Sequence, residues 1–337
     1  MHKQLLVIFL IFMSLHSISQ TSIGERTFHF NDSNRHRPLT TEIWYPTIDS
    51  VKAGDRYTTP FLRQYTVRDG SLPAGKFPLI LLSHGTGGGR SDQEWLAQAL
   101  VENGFIVAAV DHWGNTYENK IPKEFVHPWE RPLDISFVLT ALLADPSVGQ
   151  MIDRNRIGVA GFSYGGSTVL MLAGALVDYP TMIQRYKTVD RKELDLPEMP
   201  GMIALLDDSV LLTRINHLPV LKDPRIRAFF AISPGMGPGF VSPTQMTAID
   251  KPVFIIGSQS DSIAPVRTNA ANYHHLIAGS AYYEFPGKTG HYIMLGEANS
   301  QLKKNWPTGF LDDPSVDRHA VHLKVDSLAV DFFKANL

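Results

Sequence analysis

The feature that most constrains the fold of this chain is a serine between glycines where two apolar runs meet. Residues 156–175 read RIGVAGFSYGGSTVLMLAGA, with Gly161 and Gly165 two positions on either side of Ser163. The first run predicts a short buried strand and the second a buried helix. A strand that turns directly into a helix brings backbone against backbone, which favours glycine at both positions. Ser163 would then present its hydroxyl at the apex of the turn, although an ordinary strand–turn–helix corner shows the same pattern.

The rest of the chain alternates between strand-like and helix-like segments. A hairpin is expected at the start, with its turn at Asn31–Arg37. Apolar runs such as KFPLILLSHG and FIVAAVDHWG predict buried strands. Between them, SDQEWLAQALVENG predicts a helix with Ser91 as its N-cap. This order predicts an α/β fold, with a mostly parallel sheet covered by helices on both faces.

The alternation is interrupted between residues 178 and 223. This stretch carries prolines, charges and the apolar patches MIALL and VLL. We interpret it as an insertion above the sheet of a single domain, residues 20–337. It is expected to act as a lid or cap, and a disordered or purely packing role is the alternative.

The N-terminus predicts export. MHKQLLVIFLIFMSLHSISQ has one lysine, then an apolar run from Leu5 to Met13, then small and polar residues, as in a signal peptide. The run is short for a membrane span, and an uncleaved anchor is the alternative. We expect residues 1–19 to be removed by cleavage near Ser19. The mature protein would be periplasmic or secreted, with no stable membrane span.

Composition excludes several kinds of site. The 337 residues include no cysteine, which rules out disulfides, thiolate nucleophiles and cysteine metal sites. The formal net charge is −2 without a basic stripe, so no nucleic-acid partner is expected. None of the 13 histidines has a metal-ligand spacing such as H-E-x-x-H, so we expect neither a metal nor another cofactor.

A serine hydroxyl becomes a good nucleophile only beside a base, and the base needs an orienting carboxylate. After a nucleophile on this kind of turn, the acid and then the histidine follow later strands, at the edge where the strands end. Asp261 follows KPVFIIGSQS and His291 follows AYYEFPGKTG, so they are the expected acid and base. Asp250 precedes its strand and Asp111 precedes the serine, which argues against both.

Two backbone N–H groups should hold the oxyanion that forms during attack. Tyr164, directly after the serine, would supply one, and Thr86 in the loop HGTGGG would supply the other. Methionine adapts to varied shapes, so methionines of the insertion are candidate pocket walls, and aromatic residues after FIVAAVDH would face them. Packing on the domain is the alternative for both sets. The candidate pocket residues are Trp113, Tyr117, Met199 and Met202.

In chain order, SHGTGG, GFSYGG, SDSIAPV and GKTGH make residues 40–335 resemble the α/β-hydrolases. More narrowly, the chain is similar to the bacterial predicted dienelactone hydrolases and the plasma-type platelet-activating-factor acetylhydrolases. The stretches that carry this likeness are FPLILLSHGTGGGRSDQEWLAQALVENGFIVAAVDH, RPLDISFVLTALL and DPRIRAFFAISPG.

The resemblance has departures. In the plasma-type acetylhydrolases the acid follows the strand that here reads RAFFAIS, where this chain has Ser233. The DSIAPV loop is instead similar to that of bacterial cutinases, which carry a tryptophan in the region of Met236 and lack a long insertion. Dienelactone hydrolases use a cysteine nucleophile, which is absent here. The substrate names of these relatives therefore do not transfer.

Together these features predict an exported serine hydrolase that cleaves carboxylic esters through an acyl-enzyme. A small-molecule or lipid-like ester would be its substrate. An amidase or peptidase with the same three residues is one alternative, which matched ester and amide substrates would separate. A non-catalytic binding protein of the same fold is another, which loss of one of the three residues would favour.

Overall fold

The computed structural model describes residues 22–56 and 58–337, so the expected signal peptide at residues 1–19 lies outside the described residues. The strands are β1 (Ser22–Asp32), β2 (Arg37–Thr47), β3 (Val67–Arg68), β4 (Phe77–Ser83), β5 (Ile106–Val110), β6 (Ile152–Phe162), β7 (Ala228–Ile232), β8 (Val253–Ser258) and β9 (Ala281–Phe285). In this part of the chain they form one sheet in the order β3-β1-β2-β5-β4-β6-β7-β8-β9. Every pair from β5 to β9 is parallel, whereas β2 is antiparallel to β1 and β5.

Helices cover both faces of this sheet. They are α1 (Glu94–Glu102), α2 (Glu130–Ala144), α3 (Tyr164–Ala173), α4 (Tyr179–Lys187), α5 (Met202–Leu205), α6 (Ser209–Arg214), α7 (Ala270–Leu276), α8 (Ser300–Asn305), α9 (Pro307–Phe310) and α10 (Arg318–Asn336). Side chains of α2, α3 and α7 form one apolar core with one face, and those of α1 and α10 form a second core with the other. The mostly parallel α/β architecture expected from the sequence is thereby confirmed.

The first helix of this architecture begins later than its sequence indicates. The helix α1 starts at Glu94, with Gln93 rather than Ser91 at the N-cap position. The reason lies in the preceding loop, where the Asp92 carboxylate accepts the N–H of Gly89 at 3.0 Å. Residues 89–92 are therefore held as a turn that completes the loop after β4.

Residues 178–223, which we call the cap, contain α4, α5, α6 and a 3₁₀ turn at Arg191–Leu194. Both ends are tied to the sheet domain through the backbone. The Asp178 N–H donates to the Gly239 carbonyl at 2.9 Å, and the Asp223 N–H donates to the Leu172 carbonyl at 3.1 Å. Among the described residues, no helix has the length and apolar character needed to cross a bilayer.

Candidate active site

Ser163 occupies a strained turn between β6 and α3. Its backbone has φ 56° and ψ −116°, a region that residues with a side chain rarely adopt. A Cβ at Gly165 would overlap the Ser83 carbonyl oxygen, and a Cβ at Gly161 would overlap the Gly165 carbonyl oxygen. The two glycines therefore allow β4, β6 and α3 to meet closely enough to fix Ser163 at the apex.

Ser163, His291 and Asp261 form one hydrogen-bonded chain. Ser163 Oγ lies 2.8 Å from His291 Nε2, and His291 Nδ1 lies 2.6 Å from Asp261 Oδ2. His291 and Asp261 are 128 and 98 positions from the serine in sequence, but the carboxyl ends of β6, β8 and β9 bring all three to one edge. The side chains of His291 and Asp261 are almost fully buried.

The Asp261 carboxylate is oriented by its own loop. Its Oδ1 accepts the N–H groups of Ile263 and Ala264 at 2.9 and 2.7 Å, which leaves Oδ2 for the imidazole. An ionised carboxylate only accepts hydrogen bonds, so Nδ1 of His291 must be the donor in this contact. Nε2 of the neutral ring is then free to accept the Ser163 hydroxyl proton.

The rejected acid candidates lie elsewhere in the fold. Asp250 is exposed and pairs with Lys222 at 2.8 Å. Asp111 pairs with Arg90 beyond the end of β5. Ser233 occupies the position at which the plasma-type relatives have their acid, and its buried hydroxyl has no hydrogen-bond partner among the described residues. None of these three side chains takes part in the hydrogen bonds that link Asp261, His291 and Ser163.

The two expected oxyanion donors lie beside the serine. Thr86 and Tyr164 line the same cavity as Ser163. Within residues 22–56 and 58–337, neither backbone N–H is engaged in a hydrogen bond. For Tyr164 this follows from its place as the first residue of α3, because the first N–H groups of a helix have no partner within it.

A buried polar layer beneath this loop was not predicted from the sequence. His112 Nδ1 lies 3.0 Å from an Asp134 oxygen, and its Nε2 lies 2.9 Å from the Ser83 hydroxyl. The His112 N–H donates to His84 Nε2 at 3.1 Å. Burial lowers the pKa of both His84 and His112 well below the ordinary value, so both rings are neutral at physiological pH. The His84–Gly85 pair in SHGTGG was the sequence feature that pointed to this layer, but a local motif does not identify partners far away in sequence.

Two cavities meet at Ser163. A compact cavity of about 70 Å³ lies beneath the cap and is lined by Ser163, Tyr164 and Thr86 together with apolar residues. A larger cavity of about 720 Å³ is lined by Ser163, His291 and many charged or aromatic side chains. The cap side chains of the compact cavity are Met182, Tyr186, Glu193, Leu194, Leu196, Met202 and Leu206.

The four candidate pocket residues divide between these cavities and the core. Met202 lines the compact cavity and Tyr117 the larger one. Trp113 and Met199 line neither of these two cavities. Trp113 packs instead against the core of the sheet domain, and Met199 against the apolar cluster between the cap and residues 125–129. The described residues contain no group of three or more His, Asp or Glu side chains that could hold a metal ion.

Comparison with known proteins supports this architecture. The family model described as "Platelet-activating factor acetylhydrolase, isoform II" matches residues 56–119, which hold the loop containing Thr86. A ferulic acid esterase from Streptomyces cinnamoneus has a similar structure, with a TM-score of 0.63 and 19% sequence identity over 94% of this chain and 90% of that chain. No curated protein sequence matches. The chain has the α/β-hydrolase fold, and its likeness to the platelet-activating-factor acetylhydrolases is confirmed.

Proposed function

We propose that this protein is a serine hydrolase that cleaves carboxylic esters. The observation that carries the proposal is the hydrogen-bonded chain from Ser163 through His291 to Asp261, beside two unengaged N–H groups. The likeness to an acetylhydrolase family and to an esterase structure supports the same reaction class.

In the proposed reaction, Ser163 Oγ attacks the acyl carbon while its proton passes to His291 Nε2. The carbonyl electrons move to the oxygen, and the N–H groups of Thr86 and Tyr164 stabilise that oxyanion. When the carbonyl re-forms, the ester C–O bond breaks and the leaving alkoxide takes the proton from Nε2. Water then attacks the acyl-enzyme with His291 as base, which releases the carboxylic acid and restores Ser163.

The position of His291 also indicates how the substrate is oriented. The leaving alkoxide must lie near His291 Nε2 in order to take its proton. His291 lines the larger cavity and is not among the residues that line the compact one. The alcohol part of the ester is therefore assigned to the larger cavity, and the acyl group to the compact apolar cavity under the cap.

Substitution of the serine tests the assignment. Ser163→Ala should lower kcat/KM for 4-nitrophenyl esters by roughly 10⁴- to 10⁶-fold without loss of folding. A fluorophosphonate probe should label wild-type Ser163 and not the variant, as read by peptide mass spectrometry. Ser233→Ala is the matched control, because Ser233 is a buried serine outside the proposed chain of proton transfer. A folded Ser163→Ala protein with wild-type activity would overturn the proposal, and faster cleavage of 4-nitroacetanilide than of 4-nitrophenyl acetate would favour an amidase.

We also propose that the protein acts in the periplasm or outside the cell. The support is the signal-peptide pattern of residues 1–19. N-terminal sequencing of the native protein should give a chain that begins at or near Gln20. Recovery of native protein that retains Met1 would contradict cleavage.

A further inference from the structure

Arg131, in the first turn of α2, is buried beneath the loop that carries Thr86. Its side chain is only 1% exposed. Nη1 donates to the His84 carbonyl at 2.5 Å, and Nη2 donates to the Gly85 carbonyl and to Asn115 Oδ1, both at 2.9 Å. The planar guanidinium thus holds two successive carbonyl groups of this loop at once, which the single ammonium of a lysine is poorly shaped to do.

The charge of this arginine has no direct counterion. Among the ion pairs of residues 22–56 and 58–337, none includes Arg131, although buried arginines usually pair with carboxylates. Burial lowers its pKa to about 10, so the group is still cationic at neutral pH. Removing a charge from water without pairing it is costly. A positive charge is therefore maintained at this position without an ion pair to neutralise it.

Both oxyanion donors are linked to this cation. The Gly85 carbonyl and the Thr86 N–H belong to one peptide group, so donation to that carbonyl makes the N–H a stronger donor. The Arg131 guanidinium carbon also lies 4.3 Å from the centre of the Tyr164 ring. Tyr164 is the residue whose own N–H is the other proposed donor. Arg131 therefore contacts the peptide that carries one donor and the ring of the residue that carries the other. The Gly85 carbonyl also accepts the Nδ1–H of His84 at 2.7 Å, so Arg131 supplies the charged one of its two donors.

We propose that Arg131 is a positioning residue of the oxyanion site, which it orients and polarises through the Gly85–Thr86 peptide. This inference rests on the proposed function. It assigns Arg131 a role in the transition state, because the charge that it favours exists only after the serine has attacked. An arginine with a purely structural role would affect folding but would not distinguish the ground state from the transition state.

The first test compares Arg131→Met and Arg131→Lys in the full chain. For 4-nitrophenyl acetate, kcat should fall on the order of 10- to 100-fold in both, with KM changed less than about threefold, because removal of a whole oxyanion donor costs about 10²–10³. An alkyl boronic acid, which forms a tetrahedral anion on serine, should lose affinity by a similar factor. The kcat of Arg131→Lys should lie between those of Arg131→Met and wild type, since lysine restores the charge without the two parallel N–H donors of the guanidinium.

The second test leaves the arginine in place. Asn115→Asp keeps the oxygen that accepts the Arg131 and Gly87 donors but makes it part of a carboxylate. It also removes the amide N–H that donates to the Glu124 carbonyl at 3.1 Å, so its melting temperature is measured beside its kcat. The new ion pair should weaken the effect of the Arg131 charge on the loop. We expect kcat to fall about tenfold, with a parallel loss of boronic acid affinity. This variant decides the question if Arg131→Met does not fold.

Arg225→Met is the control for loosening of α2. Arg225 donates to the Ser136 carbonyl of the same helix at 3.0 Å, and its hydrogen bonds among the described residues go to Asp223, Ser136 and Thr140 rather than to the loop. The Arg225→Met substitution should lower the melting temperature and leave kcat within about twofold of the wild-type value, as expected for a change remote from the site. The inference is wrong if folded Arg131 or Asn115 variants keep wild-type kcat and boronic acid affinity, or if only KM rises. Failure of the proposed function would appear separately, as wild-type ester hydrolysis that does not depend on Ser163.

Discussion

The turn that carries Ser163 and the cap above it are built in opposite ways. At the turn, residues 161–166, backbone lies directly against backbone, and an added methyl group at Gly165 meets a carbonyl oxygen. The cap consists of helices of 9, 4 and 6 residues that are held mainly by side chains. Around Gly201 in the cap, an added Cβ would have no atom within 4 Å.

This difference assigns the two properties of the site, reaction chemistry and substrate fit, to different regions. Reacting groups must be held to within a fraction of an ångström, and close backbone packing on strands and helices achieves that. A substrate pocket needs only a suitable volume and polarity, which side chains of short helices provide. The sheet domain should therefore determine the chemistry and its rate, whereas the cap should determine which acyl groups fit.

The strongest test of this division is Asp261→Asn in the sheet domain. It should lower kcat on the order of 10⁴-fold, because an amide at this position can stabilise the wrong imidazole tautomer. Asp111→Asn and Asp250→Asn are the controls, since both carboxylates lie outside the hydrogen-bonded chain. The assignment fails if Asp111→Asn proves the most damaging of the three in steady-state ester hydrolysis.

A pair of glycine substitutions compares the two regions directly. Gly165→Ala should destabilise the protein by about 3 kcal/mol or more, because the backbone of β4 must move to accommodate the methyl group. Gly201→Ala should cost only about 1–2 kcal/mol, from its φ of +83° alone. Urea unfolding measures both, with Gly54→Ala as the control in open space. Equal losses at Gly165 and Gly201 would contradict the contrast.

Acid should act on the sheet domain through buried neutral histidines. Burial lowers the pKa of His322 in α10 to about 4, from an ordinary value of 6.5. The unfolded chain therefore binds a proton below pH 6.5 that the folded chain binds only near pH 4. Stability is lost as the pH falls through this window, by up to about 3 kcal/mol at roughly 1.4 kcal/mol per pKa unit.

The measurement is the melting temperature of wild type and His322→Gln between pH 7 and 4. The variant should lose less stability over this window. Burial raises the pKa of Asp92 and Glu94 to about 7, so their protonation favours the folded state as the pH falls and acts in the opposite direction. The difference between the two proteins isolates His322, because both carboxyl groups are present in each. Parallel pH profiles would refute the prediction.

The smallest expected effect concerns acyl preference. In wild type, kcat/KM should rise a few-fold per acyl methylene until the compact cavity is full, at up to about 0.8 kcal/mol each. Met202→Ala, or a shortened cap, should move that limit to longer acyl chains. Either change should alter kcat/KM for long-chain esters more than for an acetyl ester. Leu212→Ala is the matched control, because Leu212 in the cap is 43% exposed. A chain-length profile that these changes leave the same would make the cap a packing element only.

The sheet domain could be predicted from sequence because its constraints are local. Residues 77–82 of β4, 106–110 of β5 and 157–162 of β6 are apolar, and the spacing of Gly161, Ser163 and Gly165 encodes the close turn within five residues. Position just past a strand end, together with the chain order of serine, acid and histidine, selected Asp261 and His291, which the structure brings together with Ser163. Their catalytic role remains a proposal.

The rest depended on contacts between distant residues. Trp113 follows β5 as a pocket residue would, but it turns towards the core, and its carbonyl accepts Arg37 from β2 at 3.0 Å. Ser91 has the side chain of an N-cap, yet the Asp92–Gly89 contact keeps this segment in the loop. Arg131 lies in the quoted stretch RPLDISFVLTALL, where a charge in the first turn of a helix predicts an exposed side chain. Its partners at positions 84, 85 and 115 are too far away in sequence to be inferred from a local pattern.

The attachment of the cap has a consequence for how enzymes of this architecture diversify. The backbone bonds at Asp178 and Asp223 depend on no particular side chain, and they join the cap to residues that also belong to the sheet domain. We expect a segment inserted between two such points to tolerate changes of length or sequence with little effect on the turn that carries Ser163. Chimaeras that recombine at these junctions should then change the preferred acyl group and keep the hydrogen-bonded geometry of Ser163, His291 and Asp261.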